Sequence, residues 1–189
     1  MGFLDSLFGG AKKLKAPASD RIFAMSTAYV TFETGMGLTP RKAAGIVFQP
    51  LATSDFGQIV KDSEELLRGQ AADSGTTVET SDDQFGYRWM VLRDDDFEDL
   101  PVAVNVVSSS LTDAGYGDRL LAAVFAFEQE GQPVYFIYNF KRGSYYPFVP
   151  KGERQRDNEH ELRLKAQVGT ELPIEPELER WFPLWEIPL

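Results

Sequence analysis

Cysteine is absent from the 189 residues. That excludes a disulfide framework, thiolate catalysis, Cys-ligated zinc and iron–sulfur clusters. Histidine occurs once, as His160. A site built from several histidines is therefore impossible, and a Ser-His-Asp mechanism would have to pass through His160 alone. Positive charge is scarce: 19 Lys and Arg stand against 29 Asp and Glu, for a formal charge of −10. Nucleic-acid binding needs clustered cations that displace counterions, so no nucleic-acid partner is expected. No apolar run approaches the roughly 20 residues that cross a bilayer. The apolar residues at the start precede the basic ones and are interrupted by Gly9-Gly10, unlike a cleaved signal. The expectation is a soluble, cytoplasmic protein.

Against these absences, hydrophobic residues make up 43% and aromatics 13%, enough for a packed core. The charge is uneven. Residues 1–15 carry three lysines against Asp5, a net of +2, which leaves −12 for the rest of a chain totalling −10. Three regions follow. Residues 1–19 are a short amphipathic segment and linker. Residues 20–150 hold the periodic core. Residues 151–189 are a charged helix followed by a Pro- and Trp-rich end, expected to pack as an extension on a single 20–189 domain.

Within the core, Tyr29, Thr31 and Glu33 alternate with Val30, Phe32 and Thr34, which predicts a strand ended by Gly35-Met36-Gly37. Gly45 to Gln49 predicts another. A helix fits residues 54–68, capped by Thr53 or Ser54 and stopped at Gly69. Strands are expected over Thr76–Thr80 and Phe85–Leu92. Phe97, Leu100, Val104, Val107, Leu111 and Ala114 trace a second helix, with Asp96 as cap and Asp99 three residues on. Leu120–Glu128, Val134–Phe140 and Ser144–Phe148 close the core through turns at Gly131 and Gly143. The order β-β-α-β-β-α-β-β-β predicts an α+β fold: a mainly antiparallel sheet with helices on one face. Trp181 and Phe182 are expected to dock on the sheet or the second helix, since an exposed patch of that size is a liability.

Candidate sites are few. Asp94-Asp95-Asp96-Phe97-Glu98-Asp99 offers oxygen ligands for a hard cation, but acids at a helix N-terminus are favoured by its dipole alone. No calcium-loop spacing is present, and no metal or other cofactor is expected. Ser108-Ser109-Ser110 lies inside a helix rather than on a nucleophile turn. His160 sits in a run of alternating charge with a Glu159–Arg163 pair, as on a solvated helix. The aromatic strands offer a candidate groove of Tyr87, Arg88, Trp89, Tyr138 and Arg142, against the alternative that the rings bury area in the sheet. Phe3, Leu4, Leu7 and Phe8 form an apolar stripe with Lys12 and Lys13 off it, a candidate membrane or partner contact. Docking of this stripe on its own domain stays open beside the other two.

Eight stretches spread along the chain resemble a known family. They are Met1-Gly2-Phe3-Leu4-Asp5, Ser74-Gly75-Thr76-Thr77-Val78-Glu79, Phe85-Gly86-Tyr87-Arg88-Trp89 and Asp96-Phe97-Glu98-Asp99-Leu100, then Lys141-Arg142-Gly143, Tyr146-Pro147-Phe148, Arg156-Asp157-Asn158 and residues 178–185. Together they are similar to the PspA-associated protein PspAB family. The resemblance implies a PspA-like partner, PspA being a membrane-binding coiled-coil protein of the phage-shock envelope-stress response. It implies an accessory or adaptor role by protein–protein contact at or near the membrane, and it supplies no catalytic residues. The β-β-α-β-β unit also resembles the small α+β domains of secretion chaperones and YbjN-like proteins. A peptide- or small-ligand-binding domain is the alternative.

Overall fold

The computed structural model describes residues 19–189. A 3-10 turn, Ser19–Ala24, leads into helix α1 (Met25–Met36). Then come β1 (Thr39–Phe48), α2 (Ser54–Ser74), β2 (Thr77–Asp82), β3 (Arg88–Arg93) and α3 (Asp99–Asp113). A second 3-10 turn precedes β4 (Leu120–Gln129), β5 (Gln132–Asn139), β6 (Ser144–Phe148) and α4 (Asn158–Val168). The six strands form one sheet in the order β2-β3-β1-β4-β5-β6, with every neighbouring pair antiparallel. The expected α+β class and antiparallel sheet are therefore present. No helix among the described residues is long and apolar enough to cross a membrane.

The first predicted strand is a correction: residues 29–34 lie inside α1. Their alternation is real, but the burial is helical. Met25, Ala28 and Phe32 are all fully buried, at the three- and four-residue steps of one helix face. Core contact at Phe32 overrides the β preference of Val30, Thr31 and Thr34. Thr34 satisfies its hydroxyl by donating to Val30 O at 2.7 Å, and Gly37 closes the helix at φ 65°. The observed order therefore opens α-β-α-β-β. Gly69 does not stop α2, which runs on to Ser74 before Gly75 at φ 85°.

Strand pleating sorts β1, β4 and β5 onto two faces. Ala44, Ile46, Phe48, Phe125, Phe127, Phe136 and Tyr138 point toward the helices, whose buried residues belong to the same core. Val47, Trp89, Val124, Ile137, Tyr146 and Phe148 point the other way. Among the described residues no α-helix contributes to that second cluster. It is covered by the C-terminal segment through Trp181, Leu184, Trp185, Ile187 and Leu189. The same segment shields the β6 edge: Tyr145 N donates to Pro173 O, and Glu175 N donates to Tyr145 O, both at 2.8 Å.

Trp181 docks as expected, stacked on Tyr146 with ring centroids 6.1 Å apart. Phe182 does not; its side chain is exposed. Trp181 already fills the place beside Tyr146, and the next residue in an extended chain points away from the sheet. What Phe182 contributes is its carbonyl, which accepts the Tyr146 hydroxyl at 2.9 Å.

Candidate functional site

The candidate contact residues Phe3, Leu4, Leu7, Phe8, Lys12 and Lys13 lie outside the described residues. The sheet candidates are not brought together. Trp89 pairs with Val47 across β3 and β1 and points to the tail-covered face. Tyr138 pairs with Ala123 across β5 and β4 and points to the helices. Both are buried, on opposite sides of the sheet, so they cannot share a groove. Strand register decides this, and register cannot be read from residue types alone.

The Tyr138 ring packs 4.8 Å from Tyr145 and 5.4 Å from Phe140. Burial pushes its hydroxyl up to about 12. Tyr87 sits at the β2–β3 turn, half exposed. Arg88 is held by Asp82 through two bonds of 2.6 and 2.9 Å. That forked pair lowers the Asp82 carboxyl below its ordinary value. Arg142 is exposed on the β5–β6 turn.

The nucleophile and base candidates are also kept apart. Ser108 and Ser110 donate within their own helix, to Asn105 O and Val106 O. His160 instead lies in a polar cleft of about 450 Å³ with Gln129, Asp157, Glu159 and Arg163. Its Nε2 is 2.5 Å from Gln129 Oε1. Asp157 caps α4 by accepting His160 N at 3.0 Å, and this bond holds its carboxyl below the usual range.

The acidic run is used locally. Asp94 is buried and accepts the Thr76 hydroxyl and Asp96 N. Asp96 accepts Glu98 N, in the turn before α3 rather than as its cap. Asp95 pairs with Lys42 at 3.0 Å. Desolvation first, then the neighbouring carboxylates, raise Asp99. Among the described residues no group of acids and His160 has a metal-holding arrangement.

A second surface groove involves residues that the sequence did not single out as a site. A groove of about 330 Å³ is lined by Arg156, Asn158, Glu161, Leu162, Leu178 and Trp181. Its floor is an ion pair: Arg156 Nη2 lies 2.8 Å from Glu161 Oε2, and Glu161 is only 2% exposed. Glu161 also accepts Val149 N at 2.9 Å, and Arg156 Nη1 donates to Trp181 O at 2.6 Å. The Arg156–Glu161 pair thus ties α4, the residue after β6 and the tail together. Burial raises Glu161, and the Arg156 bond opposes the shift without cancelling it. Leu162 and Leu178 form the apolar wall, and both are about half exposed. The arrangement can hold an apolar side chain; it presents no nucleophile beside a base. The signal in the sequence was Arg156-Asp157-Asn158 followed by Glu161: a pairing cation, a cap and a buried partner within six residues.

No curated protein and no solved structure matches the chain significantly. A family model described as PspA associated protein B matches residues 1–189, the whole length, including the Arg156–Asn158 stretch and the tail that covers the second sheet face. The chain belongs to the PspA-associated protein B (PspAB) family.

Proposed function

We propose that the protein is a non-enzymatic accessory of a PspA-type envelope-stress or membrane-maintenance system. It acts as an adaptor through protein–protein contact, in the cytoplasm and at the inner face of the cell membrane. The observation that carries this reading is the family match over all 189 residues. Two features are consistent with it. The candidate groups Ser108, Ser110, His160, Asp94, Asp95 and Asp96 are engaged in local hydrogen bonds and ion pairs. The body carries a strongly acidic surface suited to a basic partner face.

In-cell crosslinking followed by affinity capture of the full chain tests the reading. A PspA-like protein is the expected dominant crosslinked partner, and His160→Ala is expected to leave recovery and envelope-stress tolerance unchanged. Capture that never contains a PspA-like protein, or a phenotype lost with His160→Ala alone, would count against it.

A further inference from the structure

The two edges of the sheet are treated differently. At β6 the chain covers its own edge: Tyr145 bridges to Ile174, with Tyr145 N donating to Pro173 O and Glu175 N to Tyr145 O. At β2 it does not. Among the described residues β3 is the only strand beside it. The backbone bond from Asp83 N to Tyr87 O, 2.8 Å long, fixes which groups turn outward. Bonded pairs alternate along an antiparallel ladder, so Ser81, Glu79 and Thr77 are the residues that bond β3. The N–H and C=O groups of Val78, Thr80 and Asp82 point the other way, and among the described residues no backbone group pairs with them.

The strand is set for pairing. Its register with β3 runs from Thr77↔Arg93 to Asp82↔Arg88 without a shift. It contains no proline and no lysine, two of the devices that blunt an edge. Its turn is well held: Asp83 accepts Phe85 N at 2.8 Å, Tyr87 N at 3.0 Å and Trp89 Nε1 at 3.0 Å. Thr77, Glu79 and Ser81 are exposed on one face of the strand. On the other face Thr80, also exposed, donates to Glu64 of α2.

The charge around this edge has one sign, and that sign selects the partner. Residues 51–100 make up α2, β2, β3 and the start of α3. They hold 13 Asp and Glu against 4 Lys and Arg, a net of −9. The chain totals −10, so all other residues together amount to −1. Three of the four cations are already paired: Lys61 with Glu65, Arg68 with Glu64, Arg88 with Asp82. Arg93, opposite Thr77, is in no ion pair among the described residues. On neighbouring β1, Lys42 is held by Asp95, and Arg41 is in no ion pair among the described residues. These few cations leave the edge strongly acidic. Two copies docked edge to edge would bring two −9 halves together, so self-pairing is opposed by repulsion. A basic strand is attracted instead. We infer that the outer edge of β2 takes up an extended, lysine- or arginine-rich segment of a partner protein as a further strand of the sheet. Val78, Thr80 and Asp82 supply the ladder bonds, and Glu79 offers a carboxylate to a cation on the added strand. The inference rests on the adaptor reading above and names its contact surface and the chemistry of the partner.

Amide hydrogen exchange on the purified full chain tests the edge. In the free chain Val78, Thr80 and Asp82 should exchange about tenfold or more faster than Glu79 and Ser81, whose amides bond β3. A short peptide of alternating lysine and threonine should slow the three outward amides about tenfold at saturation, and its glutamate counterpart should not. Thr80→Pro removes the central outward donor. It should abolish the slowing at Val78 and Asp82 with little change in melting temperature, because an edge strand accepts proline where its N–H faces out. Should that variant melt early, Glu79→Lys replaces it and should weaken the lysine peptide about fivefold. Outward amides already slow in the free chain would overturn the inference. Protection that rises with protein concentration would then assign the edge to a second copy, and concentration-independent protection to the chain's own residues. Peptide binding that leaves the three amides fast, no binding, or an equal effect of the glutamate peptide would also overturn it. Capture of a PspA-like protein separates the two readings. If Thr80→Pro captures it as well as wild type does, only the edge fails as the contact. If the lysine peptide slows the amides and wild type captures no PspA-like protein, only the adaptor reading fails.

Discussion

The two faces of the sheet are covered in different ways. On the helix side, Phe32, Phe97, Phe125, Phe127 and Phe136 interlock with neighbouring centroids 4.9–6.2 Å apart. These rings come from α1, the turn before α3 and strands β4 and β5, so each ring is held by several elements. On the other side the strands present small residues, Ala43, Gly45, Ala122 and Ala126, and among the described residues the cover is one proline-punctuated segment. It is fastened to the domain by a few named bonds, Tyr146 OH to Phe182 O and Arg156 Nη1 to Trp181 O, and braced internally by Trp181 Nε1 to Glu175 O. The small residues admit the tail closely. A Cβ at Gly45 would lie 3.2 Å from the Trp89 ring and 3.4 Å from the Leu189 side chain. One face is thus stabilised by many redundant contacts, the other by a short list that can be removed piece by piece.

Removing residues 178–189 should break the comparison most severely. The exposed second face would carry Trp89, Tyr146 and Phe148 into water, and dye binding should rise while helix content largely persists. Loss of Trp181 alone, by Trp181→Ala, should cost about 3–5 kcal/mol in denaturant unfolding, as for other buried large aromatics. An unchanged melting temperature would mean that the tail does not cover the sheet. Gly45→Ala should cost about 1–3 kcal/mol by overpacking against Trp89, with no comparable cost for Gly35→Ala, where no atom lies within 4 Å of the added carbon.

Asp157→Ala removes the cap of the helix that anchors the tail and should cost about 1 kcal/mol near neutral pH. Its pH dependence is fixed by the downward shift of Asp157. A carboxyl whose folded value is depressed stabilises above its unfolded value and loses that contribution as pH falls through the folded one. The gap between wild type and Asp157→Ala should therefore close on acidification below the ordinary carboxylate range. Phe182→Ala should be the mildest change, within about 0.5 kcal/mol, because the side chain is exposed and its carbonyl remains. A large loss at Phe182 would show that the tail binds through both aromatics.

The same asymmetry explains what could be read from the sequence. α3 is legible because its burial follows the helical period, and the β4–β5–β6 hairpins because short apolar runs, buried on both faces, are separated by glycine-bearing turns. Residues 29–34 were misread because an alternating pattern of β-formers overlies a helical stripe that begins at Met25, before the alternation. Gly69 lies on a solvent-facing position of α2, where a glycine costs little enough to be tolerated. The groove candidates failed on strand register: nothing in the identities of Trp89 and Tyr138 says that they face opposite sides. The tail lacks periodicity, so only its apolar content announced docking, and that content could not tell Trp181 from Phe182. The Arg156–Glu161 pair was hidden in a run of charges that reads as solvated, because burial of one carboxylate depends on what β6 and the tail place above it.

The proposed adaptor role requires direct association with a PspA-like protein. Sedimentation velocity on the purified full chain, mixed with the PspA-like protein of the same source, measures it without lipid or other partners. A saturable complex that sediments faster than either component is the predicted result. Two independent boundaries at every mixing ratio, unchanged when anionic vesicles are added, would contradict the claim.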